Sequence, residues 1–208
     1  MTAENLADVR VEAERTFWQW VDEYVVRPHP EIGRDGPVCP FVPRLVEAGT
    51  LFVEVEESLD GTDAAAMEAR MREAVSTFEG LADPKRSALV VLFPRVARAD
   101  AEVADRVQEA LKPECVPRGL MIGQFHPLSE EPGARNPAFP ANRAPIVAIA
   151  LRHMSHHDIV FLYRSAEMFH EYDARYADTY ADDERELDPF LVARYEEAAA
   201  RFGGPDAH

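Results

Sequence analysis

The chain has 208 residues, 47% hydrophobic and 29% charged, which suits a folded soluble core and argues against wholesale disorder. Its 38 acidic and 22 basic residues give a formal net charge of −16, so nucleic acid and anionic membrane surfaces are excluded as natural partners. Neither an apolar run of membrane length nor a basic and apolar leader occurs at Met1-Thr2-Ala3-Glu4-Asn5, so a cytoplasmic location is expected. Two cysteines, Cys39 and Cys115, are too few for a disulfide scaffold in a chain of this size.

Apolar side chains at Leu6, Val9, Phe17, Trp20, Val21 and Tyr24 follow helical spacing and predict a helix over residues 5–25, broken by Pro28 and Pro30. The segment Gly33-Arg34-Asp35-Gly36-Pro37-Val38-Cys39-Pro40-Phe41 then frames a lone thiol with glycine and proline, a composition that favours a fixed turn. Cys39 is thus a candidate iron ligand, nucleophile or pocket-wall residue, and equally a small buried hydrophobe. Leu51 to Val55 alternates apolar and acidic residues as a first strand, and Thr62 to Leu81 reads as a helix with Met67, Met71, Val75 and Phe78 on one face. Ala88 to Phe93 is continuously apolar up to Pro94, the pattern of a central strand covered on both sides.

A helix is expected from Ala99 to Leu111, followed by Cys115 as a packing residue just before a third strand at Gly119 to Phe125. A fourth strand at Ile146 to Leu151 comes after a proline-rich loop from Pro127 to Pro145, long enough to be functional. Ser155 as N-cap with Asp158 three residues on predicts a capping box opening another helix. The acidic, tyrosine-rich stretch Tyr172 to Pro189 reads as a surface crossing, and a last helix from Asp188 to Phe202 is closed by Gly203-Gly204-Pro205. These elements predict an α+β fold in the order α-β-α-β-α-β-β-α-α, a mixed four-stranded sheet with helices packed against it. A single domain is expected over residues 1–208, with a core at about 33–165 on which the N-terminal helix 5–25 and the C-terminal helices 155–203 pack.

Candidate chemistry gathers where strands end, as sites in α/β sheets do. His126, between Phe125 and Pro127, is placed to ligate a metal or move a proton near neutral pH. Neighbouring helical residues diverge by about 100°, so His156 and His157 do not converge on one ion; with His153 they suit a polar pocket rim. Arg143 and Arg152 flank the fourth strand, where each can hold a carboxylate of a substrate or cofactor.

The motifs Cys39-Pro40-Phe41, Leu92-Phe93-Pro94, Phe125-His126-Pro127, Asn142-Arg143-Ala144-Pro145 and Leu151-Arg152 together resemble those of an uncharacterised bacterial domain family, over roughly residues 33–165. More distantly, the layout is similar to the YqcI/YcgG-type haem proteins, in which a cysteine-and-phenylalanine segment precedes a strand and a later His/Arg loop forms the haem pocket. That resemblance implies a haem-dependent oxidoreductase of specialised metabolism, an oxidase or monooxygenase, acting on a small polar, amino-acid-like substrate. His126 would then be the iron ligand; Arg143, Phe41 and Phe125 would complete the cofactor pocket, and Cys39, His156 and Arg152 would be the catalytic set. Two other readings stand beside it. One is a cofactor-free thiol enzyme with Cys39 as nucleophile and His126 as its base. The other is a non-catalytic ligand-binding module, with the apolar N-terminal helix as a homodimer surface.

Overall fold

The computed structural model describes residues 3–182 and 186–203. Gly204 and Pro205, expected to close the last helix, lie outside the described residues. Helix α1 (Ala3–Trp20) continues through a π turn at Val21–Val25. Then follow α2 (Val42–Ala48), β1 (Leu51–Val55), α3 (Ala64–Glu79), β2 (Ala88–Leu92), α4 (Val103–Cys115), β3 (Leu120–Phe125) and β4 (Ala148–His153). Short α5 (Ile159–Leu162), α6 (Ala166–Ala181) and α7 (Pro189–Phe202) complete the order.

The sheet is mixed and open, in the order β1-β2-β4-β3. Strand β1 runs parallel to β2, with Leu51 opposite Ala88, and β2 runs antiparallel to β4, with Ala88 opposite Arg152. The parallel pair needs a crossover, which α3 supplies. Its Met67, Met71, Ala74 and Phe78 are all fully buried. Asp63 starts that helix by accepting the Ala66 N–H at 3.0 Å, a side-chain N-cap. All five residues of β2 are buried, so the unbroken apolar run is an interior strand, and the α+β mixed-sheet class is as the sequence predicts.

Four local expectations need correction. Helix α2 was not foreseen, although Pro43 in its first turn and Gly49 at φ 66° just past its end mark both termini. Helix α4 begins at Val103 instead of Ala99 and runs through Pro113, so Cys115 is buried at a helix end. Strand β4 is displaced to Ala148–His153. The surface crossing from Tyr172 is mostly the helix α6, because Tyr172, Tyr176 and Tyr180 recur every four residues and form one apolar stripe. Tyr172 is fully buried, donates to the His156 carbonyl at 2.6 Å and lies 2.7 Å from the Tyr180 hydroxyl. The capping box forms as expected, with both reciprocal bonds between Ser155 and Asp158.

The chain divides into two compact units, Met1–Lys112 with Ile122–His153, and Pro113–Met121 with Met154–His208. In the first, Ala13, Phe17, Val21 and Val25 pack with Leu51, Val55, Val90, Leu92 and Ala148. The apolar face of α1 is therefore spent on its own core, with Val11 and Trp18 left outward. In the second, Phe169 and Tyr172 of α6 pack with Ile159, Leu162, Leu191 and Ala198. Among the described residues, no helix is long and apolar enough to cross a membrane.

Candidate functional site

Strand β3 ends where Pro127, lacking an N–H, cannot extend the ladder. The last strand-like residue, His126, instead donates its N–H to the Asn142 carbonyl at 3.2 Å and accepts the Ala144 N–H at 3.3 Å. This isolated parallel bridge sets His126 beside Arg143. Ser129 ties the same corner, donating its N–H to the His126 carbonyl at 3.2 Å and accepting the Arg143 Nε–H at 3.1 Å on its own carbonyl.

The His126 side chain is 0% exposed, and its Nε2 lies 3.0 Å from Oδ2 of Asp105, in the first turn of α4. Gln124 and His126 share one face of β3, two residues apart, and Gln124 Nε2 donates to the other oxygen, Oδ1, at 3.0 Å. A carboxylate oxygen accepts, so the hydrogen of this pair sits on Nε2. The other ring nitrogen, Nδ1, is buried and has no hydrogen-bond partner among the described residues. Asp105 differs from His126 in being 43% exposed. Its carboxylate thus faces outward while both of its oxygens are held from behind.

It faces a cavity of about 510 Å³ lined by Arg98, Glu102, Asp105, Pro127, Leu128, Glu130 and Arg143. Arg98 stands in the 3-10 turn ahead of α4, Glu102 and Asp105 at the helix start, and the remaining residues on the long loop. Burial raises the nearby Tyr24 phenol above its usual range, while the charge of Arg143 pulls the other way.

The structure thus brings two of the expected residues, His126 and Arg143, to one corner. A second pair meets elsewhere: the Arg152 guanidinium lies over the Phe41 ring, 4.4 Å from its centroid. Cys39 is half-buried against the core of the first unit, with its N–H donating to the Val25 carbonyl at 3.0 Å. Phe125 packs on that core too and meets Trp20 edge-on at 5.6 Å. None of Cys39, Phe41, Phe125 and Arg152 lines the cavity. His156 belongs to the second unit, where its ring lies 3.9 Å from that of His157.

A haem does not fit the cavity as built. An axial histidine must present a free nitrogen at the wall, but His126 is fully buried and does not line the cavity, with Nε2 on Asp105 and Nδ1 enclosed. The lining is dominated by five charged side chains, with Pro127 and Leu128 as its apolar members. Nor do three or more His, Cys, Asp or Glu side chains converge to hold a metal ion, among the described residues.

Sequence reasoning missed Asp105, with Arg98, Glu102 and Glu130. Asp105 reads as one more solvent-facing acid on a helix, and only the polar pair Gln124 and His126 on one strand face signals that a partner must cover them.

The chain belongs to the family described as Domain of unknown function (DUF6875), whose model matches residues 14–187. That span is wider than the stretch carrying the motifs and takes in the C-terminal part of α1 at one end and α6 at the other. No curated protein and no solved structure matches the chain.

Proposed function

We propose that this DUF6875 chain is a proton-transfer enzyme acting on a small polar molecule, with Asp105 as the group that takes and returns the proton. The observation that carries the reading is the carboxylate itself, 43% exposed and facing the cavity, with Oδ1 held by Gln124 and Oδ2 by a fully buried His126. A carboxylate oxygen has two lone pairs, so each oxygen keeps one for a substrate while the other fixes its direction. That is the arrangement a general base requires, since reach and orientation come before any adjustment of acidity.

In the reaction, a substrate C–H or X–H bond gives its proton to Asp105, and the electron pair stays on the substrate. The negative charge that develops faces Arg98 and Arg143 across the same cavity, where fixed positive groups stabilise it. His126 is a positioning residue. Its hydrogen bond keeps the carboxylate from turning.

The test is hydrogen exchange in deuterated water, followed by proton NMR on a panel of small polar carbon acids, including amino, hydroxy and oxo acids. Wild-type protein should exchange at least one of them, and Asp105→Asn should lower that rate by about 10²- to 10⁴-fold. Exchange that survives Asp105→Asn, or a panel with no exchange at all, ends this reading. A Soret band on haemin titration that His126→Ala removes would favour the haem oxidoreductase instead.

A further inference from the structure

Arg98 and Arg143 line the cavity, yet neither forms an ion pair among the described residues. Some arginines of this acidic chain pair with carboxylates, as Arg10 does with Glu57, Arg27 with Asp22 and Arg194 with Glu197, and what sets Arg98 and Arg143 apart from the other unpaired ones is that they line one cavity together. Arg143 spends only its Nε–H, on the Ser129 carbonyl, so both of its terminal nitrogens stay available. Guanidinium groups left this way beside a cavity are fitted to an oxyanion.

The remaining lining decides which oxyanion. Glu102, Asp105 and Glu130 outnumber the two arginines by one negative charge, so a phosphate dianion would enter a field already negative. A plain cation would leave both guanidinium groups unmatched. A molecule with one carboxylate and one separated cationic nitrogen matches both signs.

We infer that the cavity binds a small zwitterion, its carboxylate held by Arg98 and Arg143 and its cationic nitrogen by Glu102 and Glu130. This rests on the proton-transfer reading for what happens at Asp105, but not for binding.

The experiment is calorimetry on the whole protein at low ionic strength, where screening is weakest. The probes are the unbranched ω-amino acids from glycine to 6-aminohexanoate, with hexylamine, hexanoate and inorganic phosphate as single-charge and dianion controls. One chain length should bind best, with hexylamine and hexanoate roughly tenfold weaker or more, the size of one lost charge-assisted hydrogen bond. Arg98→Gln, which removes no side-chain hydrogen bond among the described residues, and Arg143→Gln should each weaken it to a similar degree, whereas Arg15→Gln on the surface of α1 should not.

Tightest binding by phosphate or hexanoate, no binding by any ω-amino acid, or affinity indifferent to both cavity arginines would overturn the inference. Binding that obeys the arginines, without Asp105-dependent exchange, defeats only the proton-transfer reading. Asp105-dependent exchange on a molecule that is not a zwitterion defeats only this one.

Discussion

Asp105→Ala removes the acceptor that two buried donors share. His126 is 0% exposed and Gln124 6%, and each gives one N–H to the carboxylate at 3.0 Å. A buried donor stripped of its partner costs about 1–3 kcal/mol. Water entering from the cavity favours the lower part of that range, so the two losses together come to about 2–3 kcal/mol. In a chain of this length that corresponds to a fall of roughly 4–12 °C in Tm. Asp105 itself is 43% exposed, so little is recovered by releasing it to solvent.

The cleaner measurement is a double-mutant cycle with His126→Leu, read by urea unfolding and by hydrogen exchange of the β3 amides, because two compact units need not unfold in one step. Leucine brings no donor, so Asp105→Ala should cost about 1–2 kcal/mol less in that background. Additivity to within about 0.5 kcal/mol would show that the bond carries no stability and that Asp105 is not held by His126.

Burial raises the phenols of Tyr172, Tyr180 and Tyr195; the bond to Tyr180 raises Tyr172 further while pulling Tyr180 the other way, and the bond to Asp173 raises Tyr195 further. These folded-state protons are retained above the ordinary phenol value of about 10, so their stabilisation is present below that pH and is lost above it. Tyrosinate absorbance and loss of helical circular dichroism should therefore rise together in alkali, and normal titration of all six tyrosines in an intact fold would refute this. Gly61→Ala should cost about 2 kcal/mol or more by thermal unfolding, since φ is 86° and the new Cβ would lie 2.9 Å from Val96 Cγ1. Adding Val96→Ala should relieve the contact but not the backbone strain, and no relief would place the cost elsewhere. Phe78→Ala, at a fully buried position of α3, should lose about 3–5 kcal/mol by urea unfolding, and a loss below about 1 kcal/mol would mean the α3 face is not core.

Regular periodicity made much of the fold legible. The apolar stripe of α3 and the unbroken run of β2 each admit one burial pattern, and both are buried as that pattern requires. Helix α2 is only seven residues long, too short for periodicity to emerge, and its terminal proline and glycine were the sole signals. Helix α6 is obscured by acidic residues between its tyrosines, because there the four-residue spacing, not the composition, carries the information. At the site, a histidine between a strand and a proline marks the strand's end, and the bridge sets it beside Arg143, the other residue of that corner which the sequence singles out. Asp105 could not be read the same way. Which acid of a helix faces a given strand depends on how the helix docks, and nothing in the local sequence states that.

The two walls of the cavity differ in how freely they can be rewritten. Arg98, Glu102 and Asp105 come from a helix start and the turn before it, and Asp105 is further tied to the sheet through Gln124 and His126. Leu128 and Glu130 come from the loop and carry neither His126 nor the bridge that seats it. Exchanging those two side chains changes the shape and charge a ligand meets without disturbing the group that would act on it. An engineer seeking a new specificity in this scaffold would randomise positions 128 and 130 first, and would leave the strand end alone.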